Sequence, residues 1–148
     1  MIVASLALCL SAGAVGASED ANKTTVRRYY ELGINQARVD LADELLTSDF
    51  VKVTNGDRSA IVGPEALRRA VASHVESNSE YAFVVEELIA ESDSVVARWR
   101  WQSINTRYGA PRTISIHGIA IFSFSDGKIA RLWQVFDMKS FNDQAGIK

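Results

Sequence analysis

The sequence predicts an α+β domain in which helices come first and cover one face of an antiparallel sheet. Three observations carry that expectation. Apolar residues recur at three-to-four spacing in the first half and at alternate positions in the second, the change falling near Ser77-Asn78-Ser79. The run from Pro111 to Met138 reads as two long strands around Ser125-Asp126-Gly127-Lys128, because Asp-Gly between alternating apolar residues provides the positive backbone angles of a hairpin turn. Helices grouped ahead of a strand meander also favour segregated layers over the alternating pattern of a parallel sheet.

Length and composition narrow the possibilities. With 148 residues, 47% of them hydrophobic and 23% charged, the chain has the size and apolar content of one domain with one core. Its 16 basic and 18 acidic residues are interspersed, net charge −2, so no basic stripe is available to neutralise phosphates. Nucleic acid and anionic membrane surfaces are therefore not expected partners. One cysteine, Cys9, excludes an intrachain disulfide, and two histidines, His74 and His117, exclude a histidine-rich metal centre. No metal site is expected.

Ile2 to Ala17 is uncharged and rich in Ala, Leu, Val and Gly. Its length suits the apolar core of a secretory signal, with Val15-Gly16-Ala17 as a cleavage site, whereas the missing basic residue at the start favours a plain extension. The first alternative makes 1–17 a signal peptide and the mature protein secreted or periplasmic, free of the membrane after processing. The second leaves it cytoplasmic. Either way one domain spans 22–140, followed by a tail, 141–148.

Taken in order, Thr24 or Thr25 caps a helix to about Arg38, with Val26, Tyr30, Gly33 or Ile34, and Ala37 on its apolar face, so Tyr30 points inward. Asp40 to Leu46 forms a short helix burying Leu41, Leu45 and Leu46. Asp49 to Thr54 alternates as a strand, and Asn55-Gly56-Asp57 is loop punctuation. Pro64 opens a third helix, where its missing N–H is harmless, with Leu67, Ala70, Val71 and His74 along one stripe. Tyr81 to Ala90 and Val95 to Ser103 are strands joined by the polar turn Glu91-Ser92-Asp93-Ser94. In the second of these, Val95, Ala97, Trp99 and Trp101 oppose Val96, Arg98, Arg100 and Gln102. On the final strand Ala130, Leu132, Gln134 and Phe136 share the inner face, and Ile129, Arg131, Trp133, Val135 and Asp137 the outer one.

VRRYYELGINQARVDLADELLTSDF, IVGPEALRRAV, VVARWRW and IFSFSDGKIARLWQVFD, in that order, resemble the successive landmarks of SnoaL-like polyketide cyclases in the nuclear transport factor 2-like superfamily. The resemblance covers about residues 24 to 138. It implies a cone-shaped curved sheet, a cystatin-like roll with three helices on its concave side, around a deep apolar pocket. It also implies cofactor-free acid–base chemistry on a small, apolar, polyketide-like carbonyl compound, and frequent homodimers. Members include cyclases, isomerases, an epoxide hydrolase and proteins that only bind.

Not every catalytic position carries over. The aspartate of cyclases and of limonene epoxide hydrolase, on the last strand near the Trp, is matched here by Gln134. An amide orients a carbonyl or water but takes no proton at neutral pH. A family glutamate two residues before that Trp is matched by Arg131. Tyr30 resembles the first-helix tyrosine of ketosteroid isomerase, whose aspartate base falls near Thr54 or Asn55 here, neither of them a base.

The candidate catalytic residues are therefore His74, His117, Gln134 and Tyr30. Each has a structural alternative. Gln134 is either a satisfied core amide or a pocket group, and His74 either packs or titrates. His117 alternates with Thr113, Ser115, Ile119 and Ile121 on the outer face unless a bulge reverses it. Candidate ligand contacts are Trp99, Trp101, Phe122, Leu132, Asn55 and Arg98, the tryptophans serving equally well as plain core. The functions left open are a cofactor-free isomerase or cyclase, a non-catalytic ligand-binding or dimerisation module, and a structural protein with a filled cone. The mixed apolar face carrying Ile121, Arg131 and Trp133 predicts a homodimer.

Overall fold

The structure, a computed structural model, describes residues 12–147; most of the expected leader, residues 1–11, lies outside this range, and Cys9 with it. Helix α1 (Ala12–Arg28) runs directly into a π-helical turn, Tyr29–Ile34. It therefore starts well before the threonines expected to cap it, and their hydroxyls instead bond back to the carbonyls of Asp20 and Ala21 at 2.9 and 3.1 Å. A 3₁₀ turn (Val39–Leu41) and a single-turn helix α2 (Ala42–Leu45) lead into strand β1 (Leu46–Thr54). Then follow β2 (Asp57–Val62), α3 (Glu65–Ser77), β3 (Asn78–Glu91), β4 (Ser94–Asn105), β5 (Arg112–Ser125), β6 (Lys128–Phe136) and α4 (Met138–Ala145).

The six strands form one curved, unclosed sheet in the order β2-β1-β6-β5-β4-β3. The expected meander of β3 to β6 is antiparallel throughout, and β1 joins it parallel to β6. Asp126 and Gly127 take the turn at φ of 51° and 75°, with Ser125 paired to Lys128, as the Asp-Gly signal requires.

Four local readings are corrected. Asn55-Gly56 is a second hairpin turn, φ 50° and 90°, and the following segment is strand β2 rather than loop. The reason is the same positive-φ chemistry as at Asp126-Gly127. No linker separates α3 from β3, because the Asn78 side chain donates to the His74 carbonyl at 2.9 Å and so closes the helix end without spare residues. Ile129 is fully buried, not outward: a register shift opposite Ser123 and Phe124 inserts one residue and turns its side chain in. The C-terminal tail is largely helix α4, capped by Asp137, whose carboxylate accepts from the Ser140 N–H at 2.9 Å, and closed by Gly146 at φ 75°.

All helical segments pack on the inner side of the sheet. Val26, Tyr29, Tyr30, Leu45, Leu67 and Val71 meet Val95, Ala97, Trp99, Ile114, Phe122 and Leu132 in one core. Asn35 ties the π-turn to the sheet edge by mimicking a strand, its side-chain amide exchanging two 2.8 Å bonds with the backbone of Phe83. Polar groups of α1 do the same for the β3–β4 turn, where the Glu19 carboxylate accepts from the Ser92 N–H at 2.9 Å. The helices fill one end of the concave surface and leave the other end open.

Candidate functional site

The open end is a cavity of about 290 Å³. Strand β4 contributes Trp99 and Trp101, which share the inner face by strand alternation. Phe83 on β3, Phe136 on β6 and Phe141 on α4 complete an aromatic wall. Trp99 lies across Gly118, its direct partner on β5, with its ring 5.2 Å from Phe83 and 6.2 Å from Phe136. That approach is possible because Gly118 has no side chain.

The polar groups come from three elements. Helix α3 presents His74 inward on the stripe shared with Leu67 and Val71, where it stacks on Tyr81 at 5.2 Å and lies 5.5 and 5.9 Å from Phe83 and Trp101. Strand β1 presents Lys52 and Thr54, on the same face as the buried Phe50. Strand β6 presents Gln134, in register with Thr54 across the parallel seam, its amide donating to the Thr54 hydroxyl at 3.2 Å. No protein donor among the described residues meets the other end of that amide. Asn78 and Asn105, bonded to each other at 3.2 Å, form a buried polar corner, and Arg107 and Tyr108 stand exposed on the β4–β5 loop at the rim.

The electrostatics are one-sided. Lys52, His74 and Arg107 line the cavity, and among the described residues no carboxylate does. Burial lowers the Lys52 ammonium from its ordinary range. Burial first, and then the nearby Lys52 charge, pull the His74 imidazole down to about 4, so at neutral pH it is uncharged and can accept a proton. The indole N–H groups of Trp99 and Trp101 are buried without hydrogen-bond partners. Such donors are unusual in a finished interior and normal in a binding surface.

His74, Gln134, Trp99 and Trp101, expected from sequence, are thus brought together. Tyr30 packs directly behind them, stacked on Phe83 at 5.3 Å with an unpartnered hydroxyl, and burial holds its phenol well above its usual range. Phe122 and Leu132 are fully buried core beneath the cavity rather than part of its lining. His117 and Arg98 stand on the opposite face of the sheet. There Arg98 pairs with Glu86 and Glu87, and His117 lies 3.7 Å from Glu86. The alternation of β4 and β5 carries no bulge between them, so nothing turns either inward. Asn55 is a clip rather than a ligand contact. Its N–H bonds the Gln134 carbonyl at 2.9 Å and its side chain accepts from the Phe136 N–H at 3.0 Å.

Among the lining residues that the sequence does not single out, Lys52 bears most on the chemistry, with Phe83, Phe141 and the Asn78–Asn105 pair beside it. Phe50, Lys52 and Thr54 alternate with Val51 and Val53, and both sets contain apolar residues, so the pattern alone does not choose the inner face.

Residues 23–145 match the family model described as SnoaL-like polyketide cyclase. Among curated proteins none matches the chain. Among solved structures, a phenazine biosynthesis-related protein of Pseudomonas aeruginosa is similar at TM-score 0.78 and 15% identity, over 92% of each chain. A SnoaL-like protein of Jannaschia sp. CCS1 is similar at TM-score 0.77 and 20% identity, over 88% of this chain and 94% of that one. An LEH-like epoxide hydrolase of M. tuberculosis gives 0.68 and 17%, over 86% of this chain and 90% of that one. At these identities the likeness is one of fold.

Proposed function

The chain belongs to the SnoaL-like polyketide cyclase family, and on that premise we propose that it is a small-molecule enzyme performing isomerase- or cyclase-type proton transfer on an apolar carbonyl compound. The observation that carries this reading is an uncharged imidazole, His74, set in an aromatic-walled cavity beside Lys52 and the Gln134–Thr54 pair. The substrate ring lies against Trp99, Trp101 and Phe136. His74 takes a proton from the carbon next to the carbonyl, and the electron pair left behind moves onto the carbonyl oxygen. Lys52 and the Gln134 amide donate hydrogen bonds to that oxygen as its charge develops, which is the arrangement that lowers such barriers most. The proton then returns to another carbon, or the enolate carbon attacks a second carbonyl. Only side chains are needed for these steps.

Deuterium uptake at the α-carbons of 2-tetralone in heavy water, followed by proton NMR, tests the reading. Wild-type protein should accelerate uptake over buffer, and His74→Ala should lose about 10²-fold or more of that acceleration. His117→Ala, on the far face, should keep it. No acceleration by wild type, or full activity in His74→Ala, would count against the proposal. The second reading, a module that binds the same compounds without turning them over, is favoured by the absence of any carboxylate among the lining residues. It predicts a bound ligand recovered chemically unchanged.

We further propose a homodimer through the outer sheet face. Ile89, Val96, Ile121 and Trp133 are successive cross-strand neighbours on β3, β4, β5 and β6, and all are exposed, forming an apolar row across four strands.

A further inference from the structure

We propose that the natural ligand is an anion, a planar aromatic compound carrying a carboxylate, and that Lys52 is the residue that meets its charge. This deepens the proposed function and rests on the same cavity being the binding site: the carbonyl compound then has an apolar aromatic body and a carboxylate, and the three N–H donors of Lys52 serve both that carboxylate and the developing enolate oxygen.

The argument is a comparison of donors with acceptors. Lys52 brings an ammonium into the cavity wall and makes neither an ion pair nor a hydrogen bond with any described residue. Arg28, Arg38, Arg68, Arg98, Arg100 and Lys139, by contrast, each pair with a carboxylate, and Arg27, Arg58, Arg112 and Arg131, which do not, are exposed to water. A half-buried cation without a counter-ion is unfavourable, and the imbalance is relieved when a ligand brings the missing charge. Around it the indole N–H groups of Trp99 and Trp101 are further unmatched donors, outnumbering the side-chain oxygen of Gln134, the unmatched acceptor on the same wall. The group that complements an ammonium and N–H donors, with no carboxylate facing it, is one that only accepts, and an ionised carboxylate is such a group. The flat walls formed by Phe83, Trp99 and Trp101 fit an aromatic body, and Arg107 at the rim has the sign that draws an anion in.

Isothermal titration near neutral pH with 2-naphthoate and its neutral near-isostere 2-naphthamide separates charge from shape. Wild-type protein should bind the carboxylate at least about tenfold more tightly than the amide. In Lys52→Met, which keeps the apolar stem and removes the half-buried charge, that preference should fall below about threefold, with amide binding retained. The variant should melt no lower than wild type, since it removes an uncompensated charge. Equal affinities, tighter amide binding, a preference that survives in Lys52→Met, or binding of neither probe would overturn the proposal. The titration involves no turnover, so the two readings fail separately. Lost discrimination beside intact His74-dependent exchange removes only the anionic ligand, and intact discrimination without exchange removes only the proton transfer.

Discussion

Gly118 offers the sharpest test of how the cavity is built. A Cβ at this position would sit 2.8 Å from Cε2 of Trp99 and closer still to Cζ2 and Cη2, whereas carbon atoms at rest lie about 3.5–4.0 Å apart. In Gly118→Ala the indole must therefore shift by about 1 Å. Trp99 is 1% exposed and wedged between Phe83 and Phe136, so the shift disturbs the whole wall. Overpacking of this kind costs about 1–3 kcal/mol. Replacing a strand glycine by alanine recovers about 0.5–1 kcal/mol of chain entropy, so the net loss is about 0–2.5 kcal/mol. For a domain of this length that lowers Tm by up to about 10 °C. Urea denaturation of wild type, Gly118→Ala, Trp99→Phe and the double variant measures the coupling directly. Phenylalanine lacks the benzo-ring atoms in conflict, so Gly118→Ala should be neutral or mildly stabilising in that background, a coupling of about 1–3 kcal/mol. An identical cost in both backgrounds, or stabilisation of the wild type by Gly118→Ala, would refute the reasoning.

Three further outcomes are expected. His74 has a folded-state pKa of about 4 against an ordinary 6.5, so the unfolded chain binds the extra proton in that window. Its contribution is fully present above pH 6.5 and is lost as pH falls towards 4, about 2 kcal/mol once cavity water is allowed for. His74→Gln should flatten the urea-midpoint profile between those limits, and an unchanged slope would mean that the imidazole is not held neutral. Sedimentation velocity at micromolar concentration should show a dimer that Ile121→Lys converts to monomer; a monomeric wild type would remove the assembly. Asn55→Ala loses the acceptor for the Phe136 N–H and strains a φ of 50°, and should cost about 1–2 kcal/mol by thermal denaturation, whereas a loss under about 0.5 kcal/mol would show that water replaces the clip.

The sheet was largely legible because its signals are local and redundant. Alternation along β5 put Ile114, Ile116, Gly118, Ala120, Phe122 and Phe124 inside, and all are buried in the structure. Ile129 was misread for a reason that alternation cannot encode, since a single inserted residue reverses the parity of everything on one side of it. The site was half legible. His74 and Gln134 stood out as polar residues on apolar faces, and the tryptophan pair by its spacing. Lys52 did not, because a lysine between two valines looks like solvated surface until the strand beside it is known. Asn55 is a candidate by family analogy and Arg98 only if a bulge turns it inward, and the pairing of Asn55 with Phe136 and of Arg98 with Glu86 and Glu87 is tertiary information.

The seam between β1 and β6 joins residues about eighty positions apart, as the Thr54–Gln134 bond does, while the antiparallel meander closes over short turns. Pairings of high sequence separation are entropically the slowest to form. The tryptophan wall belongs to the region of the chain that can assemble early, and Lys52 joins Gln134 only when the long loop closes. Ligand capture then reports on complete folding where indole fluorescence does not. In stopped-flow refolding, burial of Trp99 and Trp101 should precede recovery of 2-naphthoate binding, and simultaneous recovery would mean that the seam forms together with the meander.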